Sequence, residues 1–411
     1  MGRHNVFAKD ASTRPSTAPA TRPVEPKPLS DNVKKGIDWL VRSQLENGAW
    51  GEGEESAHMQ RARRGADAPT TAPAAASGNG GNVADTCAAV LALLRAGSTG
   101  AEGPHAKQIQ KAADYLCAQV DRSDSTSLYV TDARDTRLQG KLGTYIDTFM
   151  AALVLAELKD RMADAAANKR VLAALDKTMD KIEKNQQPDG GWANQGWAPT
   201  LAQGVASKAV NVAAQRGAKV DESVRKRAEA YAGRNFDSKS GAVAVGGSAG
   251  VELYARSANL QSLKDSDDTN RALEPALEAA LSAPTTSPSV RAQAERELAS
   301  IRQNRQQFQA ATQSAVDRLE DRQFVAGFGS NGGEEFLSYM NIGEALVSVG
   351  GDEWTKWDKG MTDNLNRIQN DDGSWSGHHC ITGKTFCTST ALLTLMVDRT
   401  TKSLSAEMKK R

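Results

Sequence analysis

Apolar residues recur at spacings of three and four along most of the chain, and strict apolar–polar alternation is almost absent. That pattern predicts helices rather than strands. The helices come in pairs. Residues 32–44 are amphipathic, and residues 84–96, which follow, are nearly all small or apolar. The same order recurs at 105–120 with 145–159, 170–186 with 202–215, and 222–234 with 250–263. It recurs again at 296–322 with 334–349, and at 354–369 with 386–398. The first helix of each pair needs one wet face, whereas the second must be covered nearly all round. Six such pairs close naturally into two concentric rings, so the expected fold is all-α: a single (α/α)6 toroid, or barrel, over residues 30–402.

Polar tracts interrupt this order. Residues 8–29 are rich in Pro, Thr, Ala and Ser and bury too little apolar surface to offset the entropy of ordering, so residues 1–29 read as a disordered tail. Residues 51–82 read as a long flexible loop, residues 265–316 as a polar helical insertion, and residues 403–411 as a C-terminal tail. A solvent-exposed hairpin and a surface for a protein partner are both readings of the insertion.

The chain has 411 residues, 39% hydrophobic and 25% charged, with a net charge of +1. Its basic residues are dispersed, which leaves no electrostatic footprint for nucleic acid. No apolar run is long enough for a transmembrane helix. The N-terminus lacks the apolar core of a secretory signal. Four scattered cysteines make no disulfide framework, so a reduced, cytoplasmic protein is expected as the sequence stands. Export, with a Cys380–Cys387 bridge, is the alternative if an upstream signal is missing.

Three turns share one pattern: Gln44-Leu-Glu-Asn-Gly48-Ala-Trp50, Gln186-Gln-Pro-Asp-Gly190-Gly-Trp192 and Gln369-Asn-Asp-Asp-Gly373-Ser-Trp375. Each follows an amphipathic helix. The Gly permits a left-handed C-terminal turn, the Gln can bond exposed backbone groups at a helix end, and the Trp supplies a large apolar face. Asp237-Ser-Lys-Ser-Gly241-Ala-Val243 reads as a degenerate copy. The pattern resembles the QW repeat of squalene–hopene cyclases, oxidosqualene cyclases and protein prenyltransferase β subunits, over roughly residues 30–400. The resemblance implies an (α/α)6 barrel whose central cavity holds an isoprenoid chain. Complement-like thioester domains share the barrel, but their Cys-Gly-Glu-Gln motif is absent.

Five places are candidates for chemistry. Asp265-Ser-Asp267-Asp268-Thr269 matches the Asp-x-Asp-Asp-Thr string of class II terpene cyclases, in which the middle Asp would be the proton donor. Its polar surroundings read instead as a solvated helix start with Asp caps. Asp85 and Asp147 stand near the starts of apolar helices, as caps, as residues lining a cavity mouth, or both. Tyr145, Phe149, Tyr254, Phe336, Tyr339 and Phe386 are the aromatics on the predicted inner helices and the candidates for a cavity wall. His378, His379, Cys380 and Cys387 have the chemistry of zinc ligands. A structural cap over the barrel mouth and a redox-sensitive thiol pair are the other readings. Alignment with prenyltransferase β subunits puts Cys387 where their zinc-ligating His lies, Glu334 near their Asp and Phe336 near their Cys, so that triad is not intact. No phosphate loop, G-x-S-x-G elbow or H-E-x-x-H helix is present. The leading functional expectation is a barrel that binds an apolar, isoprenoid-like molecule or lipid. A terpenoid cyclase or prenyltransferase-type enzyme, with Asp85, Asp147 or Glu334 as candidate catalytic groups, and a non-catalytic interaction or assembly toroid are the alternatives.

Overall fold

The computed structural model describes residues 24–51, 81–326 and 332–400. The chain is mainly helical, and the helices follow the paired order. The first pair is α1 (Asp31–Arg42) and α2 (Val83–Arg95). The second is α3 (Ala106–Arg122) and α5 (Ile146–Leu158), with the short α4 (Arg137–Leu142) between them. Next come α6 (Ala165–Lys184) with α7 (Pro199–Gln215), then α8 (Glu222–Arg234) with α9 (Glu252–Ser282). A small hairpin of β1 (Phe236–Asp237) and β2 (Ala242–Val243) links the last two. After α10 (Pro288–Leu319) and the short α11 (Arg322–Ala326) comes α12 (Gly333–Val349). The last pair is α13 (Gly351–Arg367) with α14 (Lys384–Leu395).

Burial separates the members of each pair. In α1 only Val33, Gly36, Ile37 and Leu40 are buried, whereas α5 buries every residue except Glu157. Side chains of Ser30, Asp164, Asp221 and Ser287 cap the starts of α1, α6, α8 and α10, satisfying backbone N–H groups that have no partner within the helix. The apolar helices pack on one another in succession: α2 on α5, α5 on α7, α7 on α9, α9 on α12, α12 on α14, and α14 on α2. The amphipathic helices lie against them, α1 on α2 and α14, α6 on α5, and α13 on α12 and α14. Among the described residues, no helix is long and apolar enough to cross a membrane.

The three Gln-Gly-Trp turns share one construction. The indole Nε1 of Trp50, Trp192 and Trp375 donates to the carbonyl ten residues earlier, that of Leu40, Ile182 and Leu365, at 2.8 Å each time. Gln44, Gln186 and Gln369 donate to the carbonyls of Gly48, Gly190 and Gly373. Each also reaches the first turn of another amphipathic helix, at Gln108, Val224 and Asn32 respectively. The three glycines have φ of 85°, 89° and 91°, which favours a residue without Cβ. In the degenerate copy, Gly241 keeps φ at 69°, but its carbonyl accepts from Ser314 and Arg256 rather than from a Gln.

Two expectations need correction. Residues 24–29 belong to the sequence read as tail, yet Lys27 donates from its backbone to Asp398 at 2.7 Å and pairs with Asp358 at 2.6 Å. These contacts hold the segment against the end of the chain. The remainder of that tail, most of the 51–82 loop and the 403–411 tail lie outside the described residues. The second correction concerns residues 265–316. The predicted inner helix at 250–263 does not end there: α9 runs unbroken through Asp265–Thr269 and past Pro275 to Ser282. Asp265, Asp267, Thr269 and Asn270 are buried, so the aspartates are not solvated caps. Basic partners neutralise them in place. Asp267 pairs with Arg271 at 2.7 Å and Arg305 at 3.2 Å. The exposed part of the excursion is the antiparallel hairpin formed by the end of α9 and the start of α10.

Candidate functional site

The three carboxylates singled out as catalytic candidates all stand at starts of apolar helices, and each bonds backbone or neighbouring side chains. Asp85 donates its N–H to Asn82 Oδ1 at 2.8 Å, and its carboxylate accepts from the Asn82 amide, a reciprocal cap. Asp147 Oδ1 accepts from the Ala84 N–H at 3.0 Å and Oδ2 from Gln139 at 2.7 Å. It therefore ties α2 and α4 to α5. Burial raises its carboxyl above the ordinary range, against those hydrogen bonds.

Glu334 is fully buried in the first turn of α12. Its Oε2 accepts from the Ile381 N–H at 3.2 Å, and its Oε1 has no hydrogen-bond partner among the described residues. Burial pushes this carboxyl up, with Lys141 and Arg137 pulling it partly back. An acid raised in the folded state contributes stability in acid that is lost as pH rises through its folded pKa. Glu334→Gln is therefore expected to stabilise the fold by on the order of 1 kcal/mol near pH 8, with less gain near pH 5. Thermal melts of both proteins at the two pH values check this. An equal loss at both would show that the carboxylate itself is needed.

The His-His-Cys segment covers this end of α12 and α14. Ile381 is its hub: its carbonyl accepts from the Gly333 N–H at 3.0 Å and from the Cys387 thiol at 3.4 Å. A Cβ on Gly333 would press on the Phe386 ring at 2.5 Å. His378 and His379 are exposed, whereas Cys380 and Cys387 are buried. Cys380 has φ of 63° and its Sγ lies 3.0 Å from His379 Nδ1. All four cysteines are unbridged. Among the described residues, no three His, Cys, Asp or Glu side chains converge as metal ligands. The four zinc candidates do not fit that ion, because the exposed imidazoles and the buried Cys387 thiol serve different surroundings.

The six apolar helices jointly wall a cavity of about 30 Å³, room for one or two waters. Of the aromatic wall candidates only Phe386 lines it. Phe149 packs against Trp192 with centroids 5.8 Å apart, Tyr145 against Tyr129 at 4.9 Å, and Tyr339 against Phe336 at 6.4 Å. Tyr339 also donates to Glu335, and Tyr254 is buried outside the cavity's lining.

A cluster that the sequence reading missed lies beside this cavity. Glu344 of α12 is fully buried and pairs with Arg95 of α2 at 2.5 Å and with Lys208 of α7. Gln261 of α9 bridges Glu344 at 3.1 Å and Asp265 at 2.8 Å, and Lys264 pairs with Asp265 and Asp268 at 3.5 and 2.7 Å. Arg95 also donates to the Leu393 carbonyl of α14 at 2.9 Å. Burial alone would raise Glu344, but Lys208, Arg95 and Lys264 hold it well below the carboxylate range. One signal pointed here: Lys208 is the single charge of α7, and Glu344 is the one charge of α12 beyond its first turn, and a buried charge needs an opposite one. The arrangement neutralises itself, three acids against three bases. In comparisons with known proteins, no family model and no curated protein matches this chain.

Proposed function

We propose that the six helix pairs form an (α/α)6 toroid of the QW-repeat kind, and that it serves as a non-catalytic interaction or assembly scaffold. The packing of α14 back onto α2 and the Gln369–Asn32 bond support a closed ring. One observation carries the functional part. Among the described residues, the cavity that all six apolar helices share has a volume of about 30 Å³, too little for an isoprenoid chain, with a self-neutralised ionic cluster beside it. A catalytic cavity exposes groups to a substrate, whereas these charges are spent on one another.

The scaffold presents its longest feature outward. Helix α9 has 31 residues and α5 has 13, about 46 Å against about 20 Å. The α9–α10 hairpin carries exposed Leu273 and Val290. Replacing residues 275–297 with a short Gly-Ser turn is expected to leave the ring melting within about 3 °C of the parent, the effect of roughly 1 kcal/mol in a large domain.

A second reading, an apolar ligand in the ring, has Met150, Leu153, Leu337 and Phe386 in the cavity wall in its favour. Native mass spectrometry of the full chain purified from isoprenoid-producing cells separates the two. The scaffold reading expects the mass of the polypeptide alone. A stoichiometric isoprenoid adduct would overturn it.

A further inference from the structure

A second cavity lies away from the centre, between α7, α8 and α9. It has a volume of about 180 Å³. Exposed Ala244 and Gly246 stand at its rim, and buried Ser207, Ala258 and Ser262 line its inner part. Its size suits one ring: an apolar cavity of about 150 Å³ accepts benzene. Unlike such a cavity, this one has polar walls.

Ser207 is 3% exposed, and its hydroxyl has no hydrogen-bond partner among the described residues. An unpaired buried hydroxyl is costly unless something enters to bond it. Asn259 spends its amide on the Ala232 carbonyl at 2.8 Å, which leaves its Oδ1 to accept. The Ser262 hydroxyl donates to Ala258 at 3.0 Å, which leaves its lone pairs. Tyr231 adds a phenol at the wall, against the second Gln-Gly-Trp turn. A Cβ on Gly191 would come within 3.0 Å of its ring, and the other two turns carry Ala49 and Ser374 at that place. The extra glycine thus admits the Tyr231 ring beside Trp192.

Among the described residues, no carboxylate, ammonium or guanidinium group lines the cavity. An anion or cation entering it would lose its hydration with no opposite charge in return. The walls instead combine hydroxyl and amide groups with small apolar patches and two aromatic residues. That combination matches a molecule with polar groups around its edge and C–H faces.

We propose that this wall cavity binds one neutral, hydroxyl-bearing six-membered ring, a monosaccharide unit without phosphate or carboxylate. It is separate from the central cavity and independent of what the ring centre does. Recognition rests on pairing Ser207, Asn259 and Ser262 with ligand hydroxyls, so an analogue without hydroxyls leaves them unpaired and is rejected.

Saturation-transfer NMR on the full chain tests this with methyl α-glucoside, N-acetylglucosamine and myo-inositol, and with glucuronate, glucose 6-phosphate and benzene as contrasts. At least one neutral polyol is expected to bind, and the two anions and benzene are not. Ser207→Ala should weaken binding about three- to tenfold, the effect of one hydrogen bond. Ala244→Trp, at the exposed rim and clear of the core, should abolish it while leaving the melting midpoint unchanged. Absence of signal from every neutral probe at tens of millimolar would overturn the proposal. So would equal binding of the anions or benzene, or binding that survives Ala244→Trp.

Discussion

Replacing Glu344 with alanine is expected to destabilise the protein by about 3–5 kcal/mol, the cost of breaking a buried ion pair from one side. The carboxylate is fully buried and faces Arg95 at 2.5 Å and Lys208. Removing it leaves two cations, each largely covered, with no counter-charge of equal quality. Lys264 and Asp265, joined to Glu344 through Gln261, would have to rearrange as well. The effect has a defined pH dependence. Glu344 is held below its ordinary range in the folded state. Its contribution is therefore present above its unfolded pKa of about 4.3 and is lost as pH falls through the depressed folded value. Asp147 and Glu334 carry the opposite sign, because burial raises both. The gap between the parent and Glu344→Gln should thus be full near pH 7 and shrink in acid. Urea unfolding at several pH values measures it. A loss below about 1 kcal/mol near pH 7 would mean that the cluster is solvated rather than closed.

The sequence made the local chemistry legible and the long-range chemistry opaque. The Gln-Gly-Trp turns could be read because the three functions are local: a left-handed Gly, a Gln that closes the turn four residues on and a Trp that folds back ten residues over its own helix. The paired helices were legible for the same reason, since a three–four apolar spacing is a local property. Helix α9 was not. Asp265-Ser-Asp-Asp-Thr-Asn-Arg followed by Pro275 has the composition of a boundary. Besides the neighbouring Gln261, Lys264 and Arg271, it takes Arg305, 38 residues on, and Asn211 and Gln215, more than 50 residues back, to make those polar groups tolerable in the interior. The Arg95–Glu344 and Lys208–Glu344 pairs span 249 and 136 residues, beyond any local pattern. Of the aromatic candidates Phe386 alone lines the central cavity, for a different reason. A helix buried all round gives no hint of which face looks inward, and Phe149 turned outward to Trp192.

Replacing Trp375 with alanine is the other large effect, expected to cost about 3–5 kcal/mol, as for a fully buried Trp. The side chain is completely buried, and its indole caps the Leu365 carbonyl at 2.8 Å. Its position should make the loss regional as well as large. The third turn is the one that joins the two ends of the described chain. Gln369 donates to the Asn32 carbonyl at 2.9 Å, and Asn32 returns a bond to Gln369 Oε1 at 2.6 Å. A Cβ on Gly36 would strike the Trp375 ring at 2.7 Å, and a Cβ on Gly373 would meet the Lys35 carbonyl at 2.6 Å, so α1 and this turn are in close contact. Trp50 has the same hydrogen bond, but its turn joins α1 to α3, nearby in sequence. Loop-closure entropy grows only slowly with length, yet the last turn closes a loop of more than three hundred residues with few bonds, and its failure frees α1 on one side. Hydrogen exchange of Trp375→Ala should therefore show early loss of protection in α1 and α14, while α5 and α7 keep theirs. Uniform loss across all helices would indicate one cooperative unit in which the third turn has no special place. Unchanged protection in α1 would mean that the chain ends are held by Lys27, Asp358 and Asp398 instead.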